Sequence, residues 1–438
     1  MTRLVRCHIS GVRAPDAMDI SPSITSLTGL DAINFFLAGM QAGFGPFVAV
    51  LLADARWNQQ SIGFVLSANA LAGLLSQLPG GELLDASRSK RLLVALAAST
   101  VGLSALAIAL WPSFPVVIIA LILQGMTGGV LGPAIASISL GIVGHAALAE
   151  RLGRNQRFAS AGVLITTGLM GAVGYFASYQ AIFLTAAALA IPLLAALVHI
   201  RSADIHFGRS CGQPNHHAPT PAARARRSSL WTNYSLLTFA ACLFLFQFAN
   251  ASVLPLASEQ LAYHGGTNAS IVISALIIVP QIVVALAAPW VGRQAQILGR
   301  RPLLLIGFSV LTMRALLFAL ITDPFWLICV QLLDGISASV LGVLTALIIA
   351  DLTERSGRFN LAQGFVGMIA GIGASLSTTF FSYVAADFGN AVGFVGVAGV
   401  ALSAVVTAWL WIPETKPSNR ERQVRLGKPN RANTETPR

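Results

Sequence analysis

The stretch GGELLDASRSKRLLV, residues 80–94, sets five ionisable side chains, Glu82, Asp85, Arg88, Lys90 and Arg91, between two long apolar runs. A related stretch, VGRQAQILGRRPLLL, follows at residues 291–305. Only 10% of the 438 residues are charged, so a basic turn written twice calls for an explanation. The runs beside it decide the fold. A helix that crosses hydrocarbon needs about 20 mostly apolar residues, and such runs recur from end to end. With 55% hydrophobic residues and a mean hydropathy of +0.72, the chain departs from soluble domains, which carry about a quarter charged residues. Twelve spans are expected, at 26–52, 62–80, 92–111, 115–143, 157–176, 178–199, 232–255, 270–292, 302–322, 325–350, 360–384 and 391–413. A closed barrel would instead show short alternating strands. The reading is an all-α integral membrane protein.

The net charge of +11 invites a nucleic-acid reading until the charges are located. On this map 26 of the 28 Lys and Arg fall on one side of the membrane, with Arg56 opposite and Arg314 inside a span. Basic loops are retained in the cytoplasm during insertion, so both termini and the central polar stretch are expected there, and no nucleic-acid partner is. The first 25 residues lack an apolar core with a cleavage site, so no removable signal peptide is expected. Cys7 and Cys211 fall in cytoplasmic segments and Cys242 and Cys329 in spans, which implies no exported disulfide.

Residues 200–231, rich in Pro, Arg and Ser, read as a flexible cytoplasmic linker. They divide the chain into a tail (1–25), a six-helix bundle (26–199), the linker, a second six-helix bundle (232–413) and a basic tail (414–438). His206, His216 and His217 lie in the linker without Cys or carboxylate at ligand spacing, so a solvated segment is preferred to a metal site. The halves echo each other. Gln124 and Thr127 in the fourth span parallel Gln331 and Asp334 in the tenth, at an offset of 207, and Gln41 with Pro46 parallels Asn250 with Pro255.

The turn from Gly81 to Arg91, its second copy from Gly292 to Arg301, and the GlnGlyMetThrGlyGly run at 124–129 together resemble the signature loops and fourth-helix motif of the major facilitator superfamily. The resemblance covers roughly residues 26–413. It implies two pseudo-symmetric six-helix bundles of twelve transmembrane helices, a ligand site between them, and transport by alternating access. It also implies that the turn latches the cytoplasmic ends of the halves. Gly81 and Asp85 match the first positions of the pattern, and Lys90 and Arg91 its final basic pair with one residue inserted. Gly292, Gly299, Arg300 and Arg301 keep the register of the second copy, with Gln296 where the acid is expected. Asp85 is expected to be the latch acid, with Arg154 or Arg157 as partner or a helix N-terminus in their place. Two features depart from drug-exporting proton antiporters: Leu121 stands three residues before Gln124, where they carry Arg, and the glycines of the fifth span occur without Pro.

Polar side chains inside a span are costly unless they face protein or water. Asp31, Asn34 and Gln41 share one face of the first span, although Thr28 and Asp31 also have capping-box spacing. Gln247 and Asn250 lie one turn apart in the seventh, and Gln124 with Thr127 and Gln331 with Asp334 occupy matching faces. These residues are read as the substrate path, against the alternative that they bond helix to helix. Arg314 and Asp334 lie at similar depth below the outer loop at 323–325 and are expected to form an intramembrane ion pair that Asp334 exchanges for a proton or substrate.

The favoured function is therefore a gradient-driven secondary transporter of a small molecule, by efflux in preference to proton-coupled uptake. It is expected to be a monomer in the lipid bilayer of a bacterial inner membrane, with protons as coupling ions, and without cofactor, metal or enzymatic activity. A membrane-embedded lipid-modifying enzyme would need converging intramembrane His, Asp or Glu, and the expected spans hold a single His, His199 at the end of the sixth. A sensor would carry a soluble domain.

Overall fold

The computed structural model describes residues 23–44, 46–211, 233–257, 269–354 and 356–415. Most of both expected tails and the linker beyond Cys211, including His216 and His217, lie outside the described residues.

The first span is α1 (Ile24–Ala42) followed by α2 (Pro46–Asp54). Next come α3 (Gln59–Ala86), α4 (Lys90–Leu110) and α5 (Phe114–Phe176). The sixth crossing is split into α6 (Tyr179–Ala188) and α7 (Ala190–His199), and a single turn, α8 (Phe207–Ser210), follows. The second half holds α9 (Tyr234–Asn250), α10 (Ala269–Ile297), α11 (Arg300–Leu320), α12 (Pro324–Thr353), α13 (Phe359–Phe388) and α14 (Asn390–Trp411). Phe183, Leu30, Met40 and Leu84 centre one core, and Phe239, Phe308, Phe318 and Phe394 centre the other. Leu71, Leu103, Ile165, Leu286, Leu376 and Leu402 are exposed on the outer faces, the surface that hydrocarbon rather than water must cover.

At about 1.5 Å per residue the 63 residues of α5 would extend some 95 Å, three times the hydrocarbon thickness. Gly144, at φ 67° and ψ 177°, breaks it into two crossings. This corrects the expected boundary: residues 145–156, left between the fourth and fifth expected spans, are helical, and the fifth crossing begins beside Gly144. The turn of the opening stretch is likewise shorter than expected. Gly81 and Asp85 belong to α3, Lys90 and Arg91 open α4, and only residues 87–89 lie between.

The helix ends that carry the repeated turns, together called the basic end, also carry the seam between the halves. A Cβ at Gly81 would lie 2.5 Å from the carbonyl oxygen of Asn360, so α3 meets the start of α13 backbone to backbone. Gly292 on α10 does the same against the carbonyl of Ala149 on α5. The two copies of the turn therefore mark two equivalent cross-half contacts.

The backbone at Gly144 lies in a region only glycine enters readily, while no atom stands within 4 Å of a Cβ placed there. Gly144→Ala is expected to cost about 1–3 kcal/mol through the backbone alone, lowering the thermal unfolding midpoint of the purified protein. Gly128→Ala, also in open space but helical, is expected to lower nothing.

Candidate functional site

Arg358, at the N-cap of α13, provides no side-chain cap, so the first amides of that helix need an acceptor from elsewhere. Asp85 of α3 supplies it. Its Oδ1 accepts from the Asn360 side chain at 2.7 Å and the Asn360 backbone N–H at 3.3 Å, and its Oδ2 accepts from the Leu361 N–H at 2.9 Å. A carboxylate here also meets the positive end of the helix dipole. Of the two partners expected for Asp85, the geometry takes the helix N-terminus, and Arg154 is engaged elsewhere.

The bases of the first copy hold other groups. Lys90 is buried, its Nζ donating to Leu84 O at 3.1 Å, with Phe207 beneath it and Ser210 O and Cys211 Sγ at 3.5 and 3.8 Å. Arg91 donates to Ser202 Oγ at 2.6 Å. Residues 201–211, expected to be flexible, are thus docked. Ser137 Oγ donates to Ser210 O at 2.6 Å, the His206 N–H to Gly141 O at 3.3 Å, and the hydroxyls of Ser26 and Ser23 to Asp204 Oδ2 at 2.6 and 2.8 Å. Burial pushes the Asp204 carboxyl up, but the Ser26 and Ser23 hydroxyls, the Ser23 backbone and Arg201 outweigh it and hold it below the usual carboxylate value. Cys211, 1% exposed, ends this segment against α13, where its carbonyl takes the Phe359 N–H at 3.5 Å.

The second copy repeats the plan with other chemistry. Gln296, at the position of the acid, donates to Ala146 O at 3.2 Å, so a neutral amide bridges α10 to α5. Arg300 is buried like Lys90 and folds back similarly, to Ala295 O at 3.0 Å, while pairing with Asp351 at 3.0 Å. Gly299, at φ 104°, precedes α11, whose Arg300 and Arg301 amides are taken by Glu414 at 2.9 and 3.2 Å, and the Arg301 side chain donates to Trp409 O.

Asp31 does not take part in a capping box. Ser23, not Thr28, caps α1, and Thr28 bonds back to Thr25 O and Ile24 O, so the capping-box reading is corrected. Asp31 is buried and accepts from Arg151 at 2.5 Å and from Arg154 at 2.6 Å. Arg151 continues to Asn155 at 2.7 Å, and Asn155 to Ser139 at 2.8 Å. Arg151 and Asn155 were missed because their stretch was left between the fourth and fifth expected spans.

A cavity of about 320 Å³ lies in the second half. Its walls include Gln247 and Asn250 of α9, Thr345 of α12 and Gln363 of α13, among apolar side chains such as Phe246 and Leu341. Thr345 and Gln363 were missed, though each is a polar residue within an apolar run. Arg314, buried on α11, donates through Nη1 to Asp334 and through Nη2 to Asn250 Oδ1 at 2.9 Å. The remaining candidates do not line this cavity. Asn34 bonds to Leu30 O, Gln124 accepts from Asn69 at 2.5 Å, Thr127 bonds to Gln124 O, Gln331 is buried with its Oε1 unpartnered, and Gln41 is half-buried on α1. Among the described residues no cluster suits a metal ion.

The profile of the Major Facilitator Superfamily matches residues 30–284 and 239–432. An uncharacterized MFS-type transporter of Mycobacterium tuberculosis is 34% identical over 89% of this chain and 94% of its own length. The class B tetracycline resistance protein of Escherichia coli is 27% identical over 41% of this chain and 42% of its own. Among solved structures, the proton:xylose symporter XylE, bound to 6-bromo-6-deoxy-D-glucose, superposes with a TM-score of 0.68 at 14% identity, over 92% of this chain and 97% of its own. FucP in the outward conformation gives 0.69 at 14%, over 90% and 99%. These two likenesses concern the fold.

Removing the charge that caps α13 is expected to weaken the seam by about 1 kcal/mol, or roughly fivefold in the population with the basic end parted. Cys211 reports it: maleimide labelling of Cys211 in purified protein, identified by its loss in Cys211→Ser, is expected to quicken about fivefold in Asp85→Asn. An unchanged rate would remove the latch role from Asp85.

Proposed function

The chain belongs to the Major Facilitator Superfamily, and on that premise we propose that it is a gradient-driven transporter that moves a small organic solute by alternating access between its two halves. The observation that carries the reading is the seal at the basic end. Asp85 of one half caps the first helical turn of α13, and the cavity bounded by α9, α12 and α13 reaches Gln363, one turn further along that same helix. Release of Asp85 would free α13 and open the cavity toward the basic end.

The basic end faces the cytoplasm of a bacterial inner membrane, in keeping with the side on which the Lys and Arg gather. Protons drive the exchange through Asp334, whose charge is set against Arg314 inside the spans. Efflux is the favoured direction, supported by the partial match to a tetracycline resistance protein. The solute is taken by a single chain, with amide and hydroxyl side chains rather than charges in the cavity wall.

The test is flux into inverted membrane vesicles of a compound panel that includes tetracycline, with and without an imposed pH gradient. Gradient-dependent accumulation of one compound is expected. Asp334→Asn and Arg314→Gln are each expected to abolish most of it, and exchanging the two charges to restore part. Full activity in Asp334→Asn would remove the proton role, and flux indifferent to every gradient would remove coupled transport.

A further inference from the structure

One side chain joins the cavity to the intramembrane pair. Asn250 lines the cavity, and its Oδ1 accepts from Arg314 Nη2 at 2.9 Å, while Arg314 Nη1 donates to Asp334. A single guanidinium is thus divided between a cavity amide on α9 and a carboxylate on α12. The two charged partners are not equally enclosed: the Arg314 side chain is 2% exposed and that of Asp334 24%. Arginine keeps its proton at any ordinary pH, so the member of the pair that can change charge is Asp334, the less enclosed of the two. Two further atoms beside the pair are buried without partners, Arg314 Nε and the Oε1 of Gln331, one turn before Asp334 on α12. The network around Arg314 is therefore incompletely satisfied, and its remaining bonds are free to be redistributed.

We infer that Asn250 is the coupling residue of the transporter: by holding Arg314 it sets how tightly Asp334 binds a proton, so that a solute donor in the cavity and a proton on Asp334 compete through one amide oxygen. The inference rests on the proton-exchange reading above and gives it a sense. When Asp334 takes up a proton, its pull on Arg314 weakens and the guanidinium settles on Asn250 Oδ1, making that oxygen a poorer acceptor for the solute, because two donors on one oxygen weaken each other. When a neutral hydroxyl or amide N–H of the solute takes Asn250 Oδ1, Arg314 turns wholly to Asp334, which favours the carboxylate and releases the proton. Each ligand lowers the other's affinity by the same factor, the relation that exchange requires and cotransport does not. The solute class is a neutral molecule bearing a hydrogen-bond donor, since a cation would meet Arg314 directly.

The helices packed around α12 bring few other ionisable groups into play. Cys242 and Tyr234 lie on α9, Arg293 on α10, and Arg300 and Arg301 at the start of α11. The part of α5 beside the seam carries His145, Glu150, Arg151, Arg154 and Arg157, and α13 carries Tyr383 and Asp387 near its far end. On α12 itself are Cys329 and Asp351, with Asp323 at its N-cap. Among the described residues, only Arg314 makes an ion pair with Asp334.

The test is an infrared pH titration of the full chain in lipid. The carbonyl stretch of a protonated carboxyl, assigned to Asp334 by its loss in Asp334→Asn, is followed in the native chain and in Asn250→Leu and Asn250→Ser. Both Asn250 variants are expected to titrate about one pH unit or more below the native chain, about tenfold in proton affinity, because Arg314 then falls wholly to Asp334. The serine variant keeps a small polar group should the leucine variant fail to fold. A residue that merely supports packing would lower stability at every pH and leave the midpoint in place. An unchanged or raised midpoint overturns the coupling role while leaving proton exchange at Asp334 intact. The absence of any Asp334 band in the native chain from pH 4 to 10 overturns both.

Discussion

An ionised side chain withdrawn from water must be met by an opposite charge or by backbone dipoles, because the desolvation cost exceeds what packing alone returns. Four places in this protein meet that requirement in four ways. Arg314 divides itself between Asp334 and Asn250. Asp31 gathers two arginines, Arg151 and Arg154, one turn apart on α5. Arg300 takes Asp351 and the Ala295 carbonyl of α10. Asp85 is held by the amides that open α13. The first three knit helices within one half. The last crosses from one half to the other and rests on a helix end.

That difference makes the two seams unequal. At both, glycine brings backbone against backbone, Gly81 to Asn360 and Gly292 to Ala149. The first adds a carboxylate across a helix N-terminus, which is directional and responsive to charge. The second adds the neutral Gln296, donating to a carbonyl at 3.2 Å. A charged contact can be weakened by a proton or a competing cation, whereas the amide contact responds to neither. The second corner also carries an exposed ion pair, Arg293 of α10 with Glu150 of α5 at 3.7 Å, so charge crosses at both corners, through a carboxylate on a helix end at one and a solvent-facing pair at the other.

The spans were legible because the hydrocarbon imposes a length that hydropathy alone can read. The Arg314 and Asp334 contact was legible for a related reason: both residues lie a similar number of helical rises from the same outer loop. What sequence could not supply was the end of each helix. Ending the fourth span at 143 and starting the fifth at 157 concealed that Arg151 and Arg154 stand on a helix facing Asp31, and so left Arg154 free in principle to be assigned to Asp85. The amides divide along the same line. Gln247 and Asn250 reach the cavity, but Asn34 and Thr127 turn back to their own helices and Gln124 to Asn69. A shared helical face predicts which residues point together, not which backbone carbonyl lies within a side chain's reach.

The linker alters what the seam is made of. Its described part, 201–211, is fixed to the first half by Ser26, Ser137, Gly141 and Arg91, and then delivers the Ser210 and Cys211 carbonyls to the start of α13 at 3.4 and 3.5 Å. The Asn360 side-chain amide nitrogen thus donates both to Asp85 and to the Ser210 carbonyl of the linker, and both attachments belong to the first half. One turn along α13, Gln363 lines the cavity with its amide nitrogen buried and unpartnered. A solute acceptor that satisfied that nitrogen would act on the very helix whose first turn is held by Asp85, Ser210 and Cys211. The buried Gln363 nitrogen and the Leu361 amide held by Asp85 thus stand within one turn of the same helix.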